Sequence, residues 1–426
     1  MRRLWSLLAI LATLLVFATP ARAAEPEVQI HLLVMGPGEH LYTRGGHAAL
    51  MVLELEDGEP VRNKVYNYGD TEWEDPLLVP NFLRGKLVFF LSDSGELLPT
   101  LEEYGVKQGR EVTRQRLNLT PAQAREVARR LQEGVVPGKR EYIFHHVHAL
   151  CSTRIMDLLD DVLGGALRAQ LGGIPGPETA RYYQEVVFSG SPLASIGGDL
   201  FLGRLHERVL DRYESTAYPP HMSAYLQTVL VPAADGTGLI PLAEPPAPVV
   251  VTDKPIVADR SNFSRVVWGA CIALLLFFGL SAFRRAGTDP ARAARVVFWA
   301  ALPSGVIGSL ILGFILFSRV PEFRQNELIL LFWPTDLWLA ACARRFLTKR
   351  QALSSWVRRY ATARFAAAGL VFFGHLTGLL YQRPEILAAL GIVMAAVSWA
   401  LVRSIRTLPA LALTPARASK RAPARA

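Results

Sequence analysis

The stretch Tyr142-Ile-Phe-His-His-Val-His-Ala-Leu-Cys-Ser-Thr-Arg-Ile-Met-Asp157 leads a histidine-rich segment into a helix that starts near Cys151. Apolar residues recur at helical spacing from Ile155 to Val162, and two glycines then end the run. A cysteine in the first turn of a helix meets free backbone N–H groups, which favour a thiolate and can hold an oxyanion. Cys151 is therefore predicted to be a catalytic nucleophile.

The first 23 residues indicate export. Arg2 and Arg3 precede a short apolar run, and Ala21-Arg-Ala23 is typical of a signal-peptide cleavage site. A retained membrane anchor is the alternative interpretation of this segment. Cys151 is the only one of the three cysteines in the exported part, so it has no disulfide partner there.

The composition becomes strongly apolar from about residue 264, which predicts an all-α membrane bundle over 264–403 and a basic cytoplasmic tail over 404–426. Five transmembrane helices are expected near 266–283, 296–317, 328–343, 365–381 and 385–402. The third is short and contains Pro334, so it can be kinked or re-entrant. Alternate loops and the tail carry 17 basic residues against three in the loops between them. By the positive-inside rule, the bundle is multi-pass in a bacterial inner membrane, with the N-terminal domain in the periplasm and the C-terminus in the cytoplasm.

The formal net charge of +9 does not indicate nucleic-acid binding. Residues 24–264 contain 22 basic and 32 acidic side chains, so the exported part is acidic and the excess of arginine lies in the membrane region. We therefore expect no nucleic-acid partner.

The exported domain, 24–231, is predicted to be an α+β fold followed by a proline-rich linker over 232–263. Strands are expected near 27–35, 47–55, 63–68, 86–91 and 111–117. A helix should begin after the N-cap Thr120, with Pro121 in its first turn, and stop at Gly134. Strands come first and helices follow.

The leading candidate for a general base is His47, which opens a strand directly behind Gly45 and Gly46. His145, His146 and His148 are nearer to Cys151 in sequence and remain alternatives, although alternation along an extended segment turns at least one of them away. A purely structural role for His47 is the remaining interpretation.

Four ordered motifs resemble the Lnb N-terminal periplasmic domain family, some of whose bacterial members are lipoprotein N-acyltransferases. The motifs are Leu33-Val-Met-Gly-Pro-Gly-Glu-His-Leu-Tyr-Thr-Arg-Gly-Gly-His47, Val65-Tyr-Asn-Tyr-Gly69, Asn81-Phe-Leu-Arg-Gly85 and Cys151-Ser-Thr-Arg-Ile-Met-Asp157. The order of a histidine on a strand before a cysteine on a helix is similar to circularly permuted papain-like folds such as lecithin:retinol acyltransferase. Leu150 and Glu39 replace the Asn and Asp that members usually carry.

The resemblance implies a membrane-bound acyltransferase without a cofactor. Cys151 would take an acyl chain from a phospholipid donor as a thioester, and the N-terminal amine of a lipoprotein acceptor would then receive it. His47 would relay protons in both steps. Asn67, on the neighbouring strand, is the candidate that orients the imidazole.

Other polar residues are weaker candidates for support or substrate binding. Tyr42 and Arg44 could meet a phosphate head group or belong to an ordinary solvated loop. Arg154 and Asp157 lie on the side of the helix that carries Cys151, where an ion pair is the plainer interpretation. Asp336 lies in a predicted membrane segment, where a charge is costly, so it is either functional or a structural partner of a nearby tryptophan.

Three further hypotheses remain open. The same thiol and imidazole could cleave an amide, as in a periplasmic papain-like cysteine peptidase or amidase. His145, His146, His148 and Cys151 could form a zinc or copper site, although their spacing lacks the regular register of such sites and we expect no metal. The domain could also be a non-catalytic membrane-tethered module, an option that Leu150 in the Asn position keeps open.

Overall fold

The computed structural model describes residues 26–256, 259–383 and 385–405. The predicted signal peptide, 1–23, lies outside the described residues. So does the predicted basic tail, apart from its first two residues.

The N-terminal domain is built on an antiparallel sheet of seven strands with the order β11-β5-β1-β2-β3-β4-β6. Four further strands form two small two-stranded sheets. The strands are β1 (Glu27–Met35), β2 (His47–Glu56), β3 (Glu59–Asp70), β4 (Val88–Asp93), β5 (Val112–Arg116), β6 (Glu141–Ile143), β7 (Pro175–Thr179), β8 (Val209–Asp211), β9 (Leu230–Pro232), β10 (Leu239–Pro241) and β11 (Ala247–Val250). All five predicted strands are present, with small shifts at their ends.

Nine helices surround the sheet in the described part of this domain. They are α1 (Leu78–Arg84), α2 (Leu97–Leu101), α3 (Pro121–Gly134), α4 (Cys151–Val162), α5 (Ala166–Leu171), α6 (Ala180–Phe188), α7 (Pro192–Phe201), α8 (Arg212–Ser215) and α9 (Pro219–Leu226). Thr120 caps α3 in a reciprocal capping box with Gln123, as the sequence predicts. The predicted start of α4 at Cys151 is also confirmed.

Helix α4 packs against β2 and β3 and places its first residue at the end of the sheet. Ile155, Met156 and Leu159 of α4 are fully buried with Leu50 and Tyr66 of the two strands. The opposite face of the sheet forms a second apolar cluster under α2. Strand residues alternate between the two faces of the sheet. Leu50 and Tyr66 therefore face α4, whereas their neighbours Ala49 and Val65 face the second cluster.

The sequence predicted an extended linker over the proline-rich segment 232–263. Part of this segment is instead a strand. Ala247–Val250 is an edge strand of the main sheet and pairs with β5. Prolines are tolerated there because an edge strand need not donate all of its N–H groups. Any linker thus starts only after Val250.

The C-terminal region is helical in its described residues. Its helices are α10 (Phe263–Arg284), α11 (Pro290–Phe317), α12 (Pro321–Arg324), α13 (Asp336–Lys349), α14 (Ser355–Leu376) and α15 (Glu385–Ser404). Three of them, α10, α11 and α15, are long and apolar enough to cross a membrane by length and composition.

The third predicted span, 328–343, is wrong as a continuous helix. A 3-10 turn, Glu327–Leu330, comes first, and α13 begins only at Asp336, after Pro334. The irregular segment between them packs against small residues, with Gly308 of α11 facing Phe332 and Pro334 and Gly391 of α15 facing Leu331. Irregular backbone at this place is tolerated because neighbouring helices bury it.

The N-terminal domain is docked onto one end of the helical region. The Ser318 hydroxyl donates to the Leu83 carbonyl oxygen at 2.7 Å, and the Gly203 N–H donates to the Glu322 carbonyl oxygen at 2.8 Å. Near the start of α15, the Arg383 N–H donates to the Glu207 carboxylate at 2.9 Å. The loops before α12 and before α15 therefore lie against the domain.

Candidate active site

Cys151 lies at the N-terminus of α4, where its own backbone N–H group and those of Ala48 and Ser152 favour the charged form of its sulfur. The Cys151 side chain is half-buried. Burial raises the pKa of the thiol above its ordinary value, although these N–H groups and the charge of Arg110 oppose the shift. The resting sulfur is therefore a thiol that needs a base, which differs from the thiolate that the helix start alone favours.

His47 supplies an imidazole at the first residue of β2. Its Nε2 lies 2.9 Å from Oδ1 of Asn67, and the Asn67 amide donates in turn to the Ser94 hydroxyl. The carbonyl oxygen of Asn67 accepts from Nε2–H, which leaves Nδ1 as the proton acceptor. Burial lowers the pKa of His47 to about 4, although the bond to Asn67 opposes the shift, so the ring is neutral at pH 7.

Gly69 shows that His47 and Cys151 are neighbours. A Cβ added at Gly69 would lie 3.6 Å from Cβ of Cys151 and 3.8 Å from Cε1 of His47. The residue has φ +112° and lies at an irregularity in the pairing of β3 with β4. Only glycine adopts this conformation readily, so the bulge keeps the space between Cβ of Cys151 and the imidazole of His47 free of a side chain.

Arg110 and Tyr104 belong to the site and were missed by the sequence analysis. Arg110 is 1% exposed, stacks over the Tyr104 ring at 5.1 Å and donates to the carbonyl oxygen of Gly36 at 2.7 Å. The Tyr104 ring stacks in turn on His47 at 5.6 Å. Among the described residues, no carboxylate lies within 4.0 Å of Arg110. The buried positive charge is thus available to an anion that forms beside Cys151 and His47.

Arg154 and Asp157 follow Cys151 on α4 and pair with each other at 3.6 Å, but their other contacts differ. The Arg154 guanidinium lies over the rings of Tyr142 and Tyr68 at 5.3 and 5.9 Å, close to the thiol. Asp157 accepts from Tyr213 at 2.9 Å and pairs with Arg168 at 2.6 Å. Its oxygens are therefore engaged in a structural network, which favours the plainer interpretation of this residue.

Tyr42 and Arg44 lie in the loop before His47. Tyr42 is 61% exposed and packs on Trp73 with the ring centroids 4.6 Å apart. Arg44 donates to the Ser189 hydroxyl at 3.3 Å. Tyr42 thus forms part of an exposed aromatic surface, whereas Arg44 ties the loop to the end of α6.

A continuous series of aromatic side chains connects the helical region to the site. Successive ring centroids lie 4.6 to 6.3 Å apart. We call this series the aromatic row, and its members are Phe314, Phe323, Phe82, Phe144, Phe89, Trp73 and Tyr42. Phe89 also lies 3.9 Å from the Cβ position at Gly69, which is the position that neighbours Cys151 and His47.

His145, His146 and His148 form a turn before α4, and their rings stack on one another. His145 and His146 face Glu322 of α12 rather than the thiol. Among the described residues, the one group of at least three close donors is His145, His146 and Glu322. The predicted cluster of the three histidines with Cys151 is therefore wrong in its membership.

Asp336 lies between α11, α13 and α14 and is fully paired. Its carboxylate accepts from Arg364 at 2.8 Å, from Tyr360 at 2.7 Å and from Ser304 at 2.5 Å. The partner of Asp336 is thus an arginine, and not one of the tryptophans that the structural alternative named. The ion pair is separate from the groups around Cys151 and holds three helices together.

Comparison with known proteins identifies the N-terminal part. Residues 21–185 match the family model of the Lnb N-terminal periplasmic domain, which covers both His47 and Cys151. Comparison with curated proteins and with solved structures gave no match. With its three candidate spans, the chain is a membrane protein whose N-terminal domain is periplasmic. By this match, residues 21–185 form an Lnb N-terminal periplasmic domain.

Proposed function

We propose that this protein is an acyltransferase that moves an acyl chain from a phospholipid, through a thioester on Cys151, to the N-terminal amine of a bacterial lipoprotein. The observation that carries the proposal is the proximity of Cys151 to His47, which is bonded to Asn67, beside Phe89 of the aromatic row. A nucleophile, a base and an orienting group suit acyl transfer. The apolar side chains of the row lie between the helical region and these groups, which suits a lipid substrate.

In the first half-reaction, Nδ1 of His47 takes the proton of the Cys151 thiol as the sulfur attacks an ester carbonyl carbon. The tetrahedral intermediate collapses, the C–O bond breaks, and His47 returns the proton to the leaving alkoxide. Lysophospholipid departs and the acyl group stays on sulfur as a thioester. Asn67 holds the imidazole in the tautomer that this step needs.

In the second half-reaction, the neutral amine of the acceptor attacks the thioester carbon and gives a proton to His47. The C–S bond breaks, an amide forms, and the sulfur regains its proton from the imidazolium. Both half-reactions pass through an oxyanion. Three backbone N–H groups, those of Ala48, Cys151 and Ser152, are suited to stabilise it, as is the buried charge of Arg110. Leu150 has no side-chain amide to contribute.

The docking of the domain supports a periplasmic site at the outer leaflet of the inner membrane. The two loops that contact the domain, before α12 and before α15, carry few basic residues, and the arginine-rich loops lie at the other ends of the helices. We propose that α13 and α14 also cross the bilayer, which gives five crossings. We further propose that the domain has a permuted papain-like fold, with its histidine strand before its cysteine helix.

The test is transfer in proteoliposomes that contain the full chain, a phospholipid with a labelled acyl chain and a synthetic diacylglyceryl-cysteine peptide. Labelled amide on the peptide, dependent on Cys151 and His47, is the expected result. Cys271→Ala is the matched control, since Cys271 is also half-buried but lies in α10. Release of free fatty acid without peptide labelling would contradict the proposed acceptor, and activity of the Cys151→Ala protein would contradict the proposed mechanism.

The same thiol and imidazole would also suit a peptidase or amidase. The aromatic row favours the lipid substrate, because an enzyme acting on a polar peptide or muropeptide has no use for an apolar connection to the bundle. Cleavage of muropeptides in the absence of lipid, with no labelling of the diacylglyceryl peptide, would favour the hydrolase.

A further inference from the structure

A cluster of metal-binding side chains lies outside the proposed catalytic site, where the periplasmic domain meets the helical region. His145 and His146 come from the turn before α4, and Glu322 comes from α12. One donor atom from each of the three lies within 4.8 Å of the others. The His145 Nε2 is 3.4 Å from one Glu322 oxygen, and the His146 Nε2 is 4.0 Å from the other.

The polar atoms around this point are short of partners. Among the described residues, Nε2 of His146 and Oε2 of Glu322 are buried without a hydrogen bond. Both ring nitrogens of His206 are also buried without a hydrogen bond among the described residues. His206 is 0% exposed, and its ring stacks on that of His146 with the centroids 4.9 Å apart. Buried polar groups are normally satisfied, so several such groups at one point indicate an absent partner.

The charge balance points to a cation as that partner. Glu322 is 8% exposed, and in the described part of the chain histidines are its only basic neighbours within 4.0 Å. Imidazoles beside a carboxylate are a donor set of a transition metal.

We propose that His145, His146 and Glu322 bind one divalent transition metal ion, with zinc as the best fit, and that the ion fastens the turn before Cys151 to the membrane bundle. Two imidazoles and one carboxylate leave a fourth tetrahedral position. A water molecule or the buried ring of His206 can occupy it. The ion would thus join the two parts of the chain at the base of α4.

One hydrogen-bond pattern must change when the metal binds. The N–H groups of Val147 and His148 donate to Nδ1 of His145 at 3.2 and 3.3 Å, so Nε2 carries the proton and faces Glu322. Coordination through Nε2 requires this proton to move to Nδ1, and the two long backbone bonds are then lost. Binding is therefore expected to shift the backbone of the 145–148 turn.

The test is zinc binding by the full-length protein in detergent, with zinc chloride alone as the ligand. We expect one zinc per chain after dialysis, measured by elemental mass spectrometry. His146→Ala and Glu322→Gln are each expected to weaken binding by more than about tenfold, since even outer-shell partners contribute that much. His40→Ala is the control, because His40 is exposed in a distant loop and should leave zinc binding unchanged.

A second measurement uses the wild-type chain and needs no variant to fold. Cobalt in place of zinc should give the intense visible absorption of a four-coordinate site, and added zinc should remove it. Zinc well below one per chain would overturn the proposal. Equal zinc affinity in wild-type and Glu322→Gln proteins would overturn it as well. Neither outcome depends on acyl transfer.

Discussion

The centre around Cys151 and the centre around Asp336 are both polar clusters enclosed by apolar structure, yet they differ in how completely their groups are paired. The side chains of Asp336 and Arg364 are 4% and 3% exposed, and every oxygen of the carboxylate has a donor. Around Cys151, the thiol is half-buried, Nδ1 of His47 is free to accept, and Arg110 is charged without a carboxylate among the described residues. The Asp336 carboxylate is saturated, although Nη1 of Arg364 has no acceptor among the described residues, and such pairing of a carboxylate stabilises a fold. The unpaired groups around Cys151 would suit a reaction.

The largest expected effect is a loss of activity when the centre around Cys151 is changed. Cys151→Ala and His47→Ala should each lower acyl transfer by roughly 10⁴-fold or more, because the residues act as a unit. Their thermal unfolding in detergent should stay close to that of wild type. If either variant kept most of its activity, the thiol and imidazole would not be the reacting groups.

The next effect concerns the bundle and should appear in stability. Asp336→Ala leaves Arg364 buried without its partner and should lower the free energy of unfolding by about 3–5 kcal/mol. The double variant Asp336→Leu with Arg364→Met should lose less, because no unpaired charge remains. Denaturant titration of the purified protein measures both.

The control for the Asp336–Arg364 ion pair is Glu385→Ala. The Glu385 carboxylate lies 3.2 Å from Nε of Arg383, and both side chains are exposed. The effect of Glu385→Ala should be below about 1 kcal/mol. A fully stable Asp336→Ala protein that lacks activity would reverse the comparison and make Asp336 a functional residue.

A smaller effect is expected at Gly69, where only the geometry of the proposed catalytic centre is disturbed. Gly69→Ala adds a Cβ 3.6 Å from Cβ of Cys151 at φ +112° and should lower kcat by roughly tenfold to a hundredfold. Gly58→Ala is the matched control, since Gly58 has φ +85° with no described atom within 4 Å of the added Cβ. Equal activity loss in both proteins would mean that strain, not the site, is responsible.

The smallest effect is a shift in the pH profile. Burial lowers the pKa of His47 to about 4, so the neutral base persists below the ordinary histidine range. Formation of the Cys151 thioester, which needs no amine, should therefore fall off only as the pH approaches 4. Asn67→Ala removes the hydrogen bond that raises this pKa and should move the acid limb of this half-reaction lower while slowing it. An acid limb of thioester formation near 6.5 would be incompatible with a buried imidazole.

The sequence predicted the site best where local signals are strong. The five strands, the capped helix after Thr120 and the helix start at Cys151 follow from alternation, capping and helical spacing, which are local properties. The proximity of His47, Asn67 and Cys151 followed from strand order and the family resemblance. These three residues lie in motifs that a sequence displays directly.

Other features depend on contacts between distant segments and left no local signal. Arg110 reaches the site because a π-helical turn, Glu102–Lys107, places Tyr104 under His47. Glu322 meets His145 only because α12 docks on the domain, and Arg364 meets Asp336 across two helices. The edge strand Ala247–Val250 resembled a linker because prolines and exposure conceal its pairing.

The most direct test is the mass of Cys151 in protein purified from phospholipid membranes without an acceptor. We predict an acyl chain on this residue that hydroxylamine removes and that is absent from the His47→Ala protein. A bare thiol on Cys151, in a preparation whose membranes contain phospholipid, would contradict the thioester mechanism.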